Sequence, residues 1–552
     1  MAAWRLYVVV GCFLAALFVM GGRVVYLHVF ERDFLQDQGD ARTIRMERIN
    51  AHRGMIQDRQ GKPMAISSPV VSLWANPAEF IEANEGMDQV ALMLEIDPAE
   101  FRARMEKNRN REFVYLRRKL VPEAAEKVLA LDISGVYAER EYERFYPAGE
   151  VAAHVVGFTD VRDEGQEGLE LSYNQWLKGQ PGRKKVLKNL YGEIVRDIMP
   201  VAEASPGKNL ELSIDLRLQY LAYRELKSAV SGYEAQSGSA VILDVDTGQV
   251  LALVNHPSFN PNNRAELDIN AVRNRAVTDV FEPGSTVKPF TVAVALGTGR
   301  YSPQSTIDTN PGYVRVDGKT IPDPANYGVL DLGGIIEKSS QVGITRLALD
   351  LNEYEVWQLF SAVGLGQSTG MGFPGERTGY LPNHRRWKDI ERATFAYGYG
   401  LTVTPLQLAS AYLTIASGGM KRQVTLLKSS GIHEERVMDE RITQQLISMM
   451  KRVTEFGTGS KAALEAYSVA GKTGTVRKRK EGETGYDDTR HMAFFAGMTP
   501  AEHPRLVGVI MIDDPRKQGY GGGSILASVF SRIMSGALRM LNVTPQLPDE
   551  AA

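Results

Sequence analysis

Cysteine is nearly missing: Cys12 is the single one in 552 residues, and it lies inside an apolar N-terminal run. No thiol beyond that run can pair, ligate metal or attack a substrate, which suits an oxidising compartment and excludes a cysteine nucleophile from the folded part. The eight histidines show no H-E-x-x-H or comparable spacing, so no metal site and no cofactor are expected. Neither sign of charge dominates, because 64 basic and 66 acidic side chains leave a formal charge of -2. That balance offers no electrostatic footprint for nucleic acid, so function must be read from sites.

What is present begins with a long uncharged run, Leu6 to Met20, continued by Gly21-Gly22 and, after Arg23, by Val24-Val25-Tyr26-Leu27. Roughly 20 apolar residues suffice for a bilayer-spanning helix. No A-x-A-like small-residue site follows the run, so it reads as an uncleaved anchor rather than a signal peptide. Gly11-Cys12 arrives after too short an apolar stretch for a lipoprotein signal. The length and the apolar share of 43% imply two or more folded units beyond the anchor.

Up to about Leu226 the chain is charged and mixed, with turn signals at Asp58-Arg59-Gln60-Gly61 and Tyr146-Pro147-Ala148-Gly149. Glu123 to Leu131 reads as a short helix and Leu210 to Ile214 as a strand, within an irregular, extended α+β module. Composition changes near Gly238. Ser239 to Val245 and Gln249 to Val254, separated by Asp246-Thr247-Gly248, signal a hairpin that opens a new sheet. Further strands are expected at His491 to Met498 and Leu506 to Ile512, and at Ser468 to Val476 on the rim of a cleft. Thr404, Pro405 and Gln407 form a capping-box helix start that ends at Gly418-Gly419. Ile525 to Leu541 carries a one-sided apolar stripe at 526, 529, 530, 533, 537, 538 and 541. Strands at both ends with helices between them argue for an α+β sandwich and against a doubly wound parallel fold.

Three motifs carry chemistry. Ser285-Thr286-Val287-Lys288 comes directly after the turn Glu282-Pro283-Gly284, and a serine and lysine three apart share one face of a helix start. A serine hydroxyl needs a base to attack, and Lys288 serves only while neutral, a state favoured by burial and a nearby second cation. Lys472 of Lys472-Thr473-Gly474-Thr475 is the candidate cation; Thr473 and Thr475 offer hydroxyls, and Gly474 keeps the strand rim low for a carboxylate-bearing peptide. A phosphate-loop reading of Gly471-Lys472-Thr473 fails because position 466 is Ala where glycine is required. Between them, Lys338-Ser339-Ser340-Gln341 sets a hydroxyl and an amide on a loop, suited to proton relay and peptide binding; an ordinary polar helix cap is the alternative.

The ordered set S-x-x-K, Ser-x-amide, K-T-G resembles that of the penicillin-recognising serine enzymes. The anchor, Arg53-Gly54-Met55-Ile56 with Asp58-Arg59 and Gly61, Arg144-Phe145-Tyr146-Pro147, His154-Val155-Val156-Gly157, Gly168-Leu169-Glu170 and Ile214 to Gln219 resemble the pedestal of class B penicillin-binding proteins. Phe281 to Ser285, Tyr399-Gly400, Thr404-Pro405 and Tyr520-Gly521-Gly522 are similar to the division-specific septal peptidoglycan transpeptidases of that class. The resemblance implies an α+β transpeptidase fold, an antiparallel sheet flanked by helices, over residues 227–545. A pedestal over 31–226, an anchor with a short cytoplasmic tail over 1–30 and a tail over 546–552 complete the expected organisation.

It further implies a D,D-transpeptidase that cross-links peptidoglycan stem peptides and is acylated by β-lactams. Ser285 would attack, Lys288 take its proton and Ser339 pass a proton to the leaving amine. Lys472 would supply positive field, the N–H groups of Ser285 and Thr475 bind the oxyanion, and Gln341, Thr473, Gly474 and Thr475 bind substrate. Arg53, Asp58 and Arg59 read as structural paired charges beside a glycine turn. The expected location is the bacterial inner membrane with the bulk in the periplasm, and the expected partners are a lipid II glycosyltransferase and other division proteins. The family usually has asparagine where Gln341 stands, one methylene shorter. A β-lactam sensor or division scaffold without turnover, and a serine β-lactamase or carboxypeptidase, share the triplet and are the competing readings.

Overall fold

The computed structural model describes residues 3–34, 44–83, 86–188, 194–265, 267–383, 387–428, 431–480, 485–517 and 522–546. Two compact units interleave along the chain: 1–53, 69–142 and 178–208 form one, and 54–68, 143–177 and 209–552 the other. Residues 54–68, 143–177 and 209–226, which precede the composition change near Gly238, therefore pack with the segments C-terminal to it. Tyr520 and Gly521 lie outside the described residues.

In the first unit, Trp4–Phe30 is helical and long and apolar enough to cross a membrane. A three-stranded antiparallel sheet joins Ile44–Ile49, Gly182–Lys188 and Ile194–Ala202. A separate small core gathers Leu73, Phe80, Phe101, Met105, Leu116 and Val128. Its helices are short and conventionally started: Asp97 accepts from the N–H groups of Ala99 and Glu100 ahead of Pro98–Lys107. The helix read at Glu123 to Leu131 spans Pro122–Leu129.

The second unit is built on one antiparallel sheet. Its strands are β1 (Ser237–Asp244), β2 (Val250–His256), β3 (Ala470–Arg479), β4 (Tyr486–Thr499) and β5 (Leu506–Asp513), in the order β2-β1-β5-β4-β3. The hairpin β1–β2 forms where the Asp-Thr-Gly turn requires it, with Gly248 at φ +72°. Every residue of β1 is buried, so both faces of the sheet are covered and the strand reads as a continuous apolar run.

The covering helices are α1 (Leu216–Gly232), α2 (Lys288–Gly297), α3 (Gln341–Asp350), α4 (Pro405–Ala416), α5 (Glu440–Glu455) and α6 (Gly522–Met540). Helices α1 and α6 pack on each other and on the sheet, and α4 packs on β1, β5 and β4. Of the stripe on α6, Leu526, Val529, Phe530, Ile533, Ala537 and Leu538 are fully buried, each large side chain contributing about 1.5–3 kcal/mol. Helix α4 starts as its residues dictate: Thr404 Oγ1 accepts from Gln407 N at 3.2 Å while Gln407 Oε1 accepts from Thr404 N at 2.8 Å. The expected strand at Leu210 to Ile214 is shorter, Leu210–Glu211, because beyond Leu212 the chain turns away: Ser213 N bonds Leu426 O, Asp215 N bonds Leu251 O, and Asp215 caps α1.

Two of the pedestal-like motifs brace this unit. Arg144 Nε and Glu170 Oε1 form an ion pair at 2.7 Å with side-chain exposures of 3% and 0%. Among the described residues Asp58 forms no ion pair and is held by backbone donors: its oxygens accept from Gln60 N and Lys62 N at 2.8 Å and Leu216 N at 3.2 Å. The paired-charge expectation for Asp58 gives way to a turn cap, because its carboxylate sits inside the loop closed by Gly61.

Candidate active site

The turn Glu282-Pro283-Gly284 delivers a short 3-10 turn, Gly284–Val287, that runs into α2. Gly284 has φ +53° and donates its N–H to Gly398 O at 3.0 Å, and a Cβ on Gly398 would lie 2.2 Å from Gly284 O. Only glycine permits that backbone contact. Tyr412 of α4, fully buried, donates to Thr286 O at 2.8 Å, and Thr286 Oγ1 donates to Pro283 O at 2.7 Å. From Phe281 to Leu296, Ser285 is the one residue that is not buried. The core thus grips every neighbour of that hydroxyl and leaves it accessible.

One turn on, Lys288 is fully buried, and Pro289 falls within the first helical turn, where no intrahelical N–H is lost. The Nζ of Lys288 lies 2.5 Å from Ser339 O, 3.2 Å from Ser340 O and 3.3 Å from Ser339 Oγ. Lys472, also fully buried, reaches from β3 to within 2.9 Å of the same Ser339 Oγ. The residues 288, 339 and 472 therefore form one continuous chain, amine to hydroxyl to amine.

Burial governs the electrostatics. Desolvation lowers Lys472 from 10.5 to about 7. Lys288 is driven well below its ordinary value by desolvation first and by the Lys472 charge second, with Asp323 opposing. Two ammonium groups on one hydroxyl repel, so the Lys472 charge adds to burial in favouring the neutral form of Lys288. The Lys288 amine donates to the carbonyls of Ser339 and Ser340 and faces Ser339 Oγ.

The Ser339 to Gln341 segment is a tight corner rather than an open loop. Ser339 sits at φ +58°, and Ser340 is the helix cap, its Oγ accepting from Gly343 N at 2.8 Å. Ser340 thus realises the capping reading, while Ser339 Oγ lies between the two amines. Gln341 is the first residue of α3. Asp323, whose role the sequence did not reveal, closes the corner: it accepts from Ser340 Oγ at 2.5 Å, Gln341 N at 2.5 Å and Val342 N at 3.2 Å.

Strand β3 is the edge of the sheet, paired to β4 with Lys472 opposite Ala496, Thr473 opposite Phe495, Gly474 opposite Phe494 and Thr475 opposite Ala493. Thr473 shares a hydroxyl bond of 2.8 Å with Thr458. Gly474 is needed for a reason the rim argument did not foresee: a Cβ there would lie 1.9 Å from Cε2 of the buried Phe494. Gly284 approaches the same strand, a Cβ on it meeting Val476 at 2.6 Å and Thr475 O at 3.9 Å. So the Ser285 turn and Thr475 are neighbours, and the four candidate substrate residues split between β3 and the start of α3.

A second cluster missed from sequence ties this turn to the β3–β4 hairpin. Glu282, buried, accepts from Gly400 N at 3.0 Å, Arg479 Nη2 at 2.6 Å and Tyr486 OH at 2.9 Å. Its only sequence trace was its place beside Pro283-Gly284. Nothing in composition pairs residues about two hundred positions apart.

An accessible serine on a braced turn, a buried lysine one helical turn away, a second lysine across a shared hydroxyl and an edge strand beside them are the groups that an amine-activated serine nucleophile requires. Residues 238–535 match the penicillin binding protein transpeptidase domain, and residues 48–212 the penicillin-binding protein dimerisation domain. The chain is 44% identical over 550 residues to peptidoglycan D,D-transpeptidase FtsI of Escherichia coli K12, covering 98% of this chain and 93% of that one. It is 41% identical over 544 residues to the probable peptidoglycan D,D-transpeptidase PbpC of Pseudomonas aeruginosa, covering 98% and 96%.

Among solved structures, the transpeptidase domain of Burkholderia pseudomallei penicillin-binding protein 3 superposes with TM-score 0.56 at 40% identity, over 61% of this chain and 98% of that one. Mycobacterium tuberculosis penicillin-binding protein 3 complexed with aztreonam superposes with TM-score 0.70 at 27% identity, over 91% and 98%. The chain belongs to the class B penicillin-binding proteins, and within them to the FtsI-like peptidoglycan D,D-transpeptidases.

Proposed function

We infer that this protein cross-links peptidoglycan stem peptides through an acyl-enzyme on Ser285. Neutral Lys288 takes the Ser285 proton as Oγ attacks the carbonyl of a D-Ala-D-Ala terminus, and the oxyanion sits between the N–H groups of Ser285 and Thr475. Loss of one such donor typically costs about two to three powers of ten in rate. Ser339, bonded to both amines, passes a proton to the departing D-alanine, and Lys472 supplies the positive field for the substrate carboxylate held by Thr473 and Thr475. Gln341 reaches for a peptide group of the donor. An amine of a neighbouring strand then resolves the ester. A β-lactam carbonyl enters the same attack and leaves a slowly released adduct.

The observation that carries this reading is the amine–hydroxyl–amine chain through Ser339. The N-terminal helix supports a single-pass anchor in the inner membrane, with the transpeptidase unit in the periplasm where peptidoglycan is built. The septum is the expected place of work, with a lipid II glycosyltransferase and other division proteins as partners. Mass spectrometry of the protein with benzylpenicillin over hours is the test. A persistent adduct on Ser285, absent in Ser285→Ala, is expected. Rapid release would make it a β-lactamase or carboxypeptidase, and labelling that survives in Ser285→Ala would move the nucleophile elsewhere.

A further inference from the structure

The corner at residues 339–342 is where three of the site's elements meet, and what fixes it comes from a segment with no assigned role. Asp323 is nine-tenths buried with both carboxylate oxygens engaged: one on Ser340 Oγ at 2.5 Å, the other on the N–H groups of Gln341 and Val342 at 2.5 and 3.2 Å. These bonds terminate α3 and set the direction of the Ser339 and Ser340 carbonyls, the two that occupy Lys288 Nζ. We propose that Asp323 is a positioning residue for proton transfer at Ser285: it locks the 339–342 corner onto the Lys288 amine and sets a counter-charge behind it.

The inference rests on Lys288 being the base. Two facts separate Asp323 from an ordinary cap. Ser340 alone already caps α3 through Gly343 N, so the carboxylate is more than that helix start requires. And its charge acts on Lys288 itself, opposing the desolvation and the Lys472 cation that favour the neutral amine.

The other charges near Lys288 are turned to partners of their own. On the segments packed against α2, Asp331 and Glu337 are bridged by Arg452 at 2.8 Å, and Lys451 of α5 bonds Glu502. Arg346 and Asp350 of α3 are tied to Asn310 and Arg300, and Glu353 to Arg392. Lys472 and Asp323 are left as the pair that sets how readily Lys288 gives up its proton.

The sign is determined. A neighbouring anion favours the ammonium form, so removing the charge makes Lys288 neutral at lower pH and moves the acid limb of acylation downward. The test uses the full-length protein in detergent, with benzylpenicillin as probe and the second-order acylation rate measured from about pH 5 to pH 9. D323N is expected to shift that limb down by roughly one unit and to slow acylation roughly tenfold or more through the loosened corner. S340A, which removes the bonds of Ser340 Oγ to Asp323 and to Gly343 N but keeps the charge, is expected to slow acylation without moving the limb. A limb unmoved in folded D323N overturns the proposal. If D323N does not fold, S340A decides, and a wild-type rate and profile there overturns it. Failure of the parent reading looks different: Lys288→Ala would acylate at the wild-type rate.

Discussion

Lys288, Ser339 and Lys472 form one hydrogen-bonded chain, and burial lowers both amines, which makes the site's chemistry pH-dependent. Lys472 titrates near 7 when folded and at its ordinary 10.5 when unfolded, so between those values the unfolded chain binds the extra proton. Stability therefore rises with pH across that window, by up to about 1.4 kcal/mol per unit from this group. Chemical denaturation as a function of pH should show the slope, and Lys472→Met should reduce it, Lys288 supplying the remainder. Gly474→Ala should drive a methyl into the Phe494 ring. An overpacking cost of about 1–3 kcal/mol and loss of most benzylpenicillin labelling are expected, read by thermal melts and mass spectrometry. For Gln341→Asn the backbone is pinned by Asp323, so the side-chain amide loses one methylene of reach. Cross-linking of stem peptides should change by roughly tenfold or more, and an unaltered rate would show that reach to be immaterial.

The candidate site residues were legible in sequence because each must be a particular type at a particular local spacing. Ser285 and Lys288 are three apart, and Lys472 to Thr475 are contiguous. Asp323 and Glu282 were not, since a carboxylate that accepts backbone N–H groups across a fold has no local pattern to mark it.

At the level of elements, α4 braces the Ser285 turn through Tyr412. Tyr412→Phe leaves the buried Thr286 carbonyl without its donor. A loss of about 1–3 kcal/mol is expected, with slower acylation as the turn loosens, and a melt combined with acylation kinetics checks both. Helix boundaries set by caps were readable: Thr404, Pro405 and Gln407 start α4, and Gly418 and Gly419, both at positive φ, lie just past its end. So was the β1–β2 hairpin, whose turn residues announce it. Strand order was not. That β5 inserts between β1 and β4, leaving β3 as the open edge, depends on pairing between segments more than two hundred residues apart.

Across the whole molecule, the two units interleave although composition changes near one point, Gly238. Composition records which residues need burial but not which surface buries them, and 143–177 finds its partners in the second unit. The anchor reading makes a separate claim. Deleting residues 1–31 should release the protein from the membrane fraction and leave benzylpenicillin acylation of Ser285 intact, as fractionation and labelling would report. Side-chain type, cap chemistry and the apolar anchor are properties of short stretches, and for these the amino-acid order suffices. The depression of the Lys288 and Lys472 pKa values, the shared hydroxyl between them and the grip of Asp323 arise only when distant segments exclude water together, because desolvation and hydrogen-bond geometry belong to the packed chain.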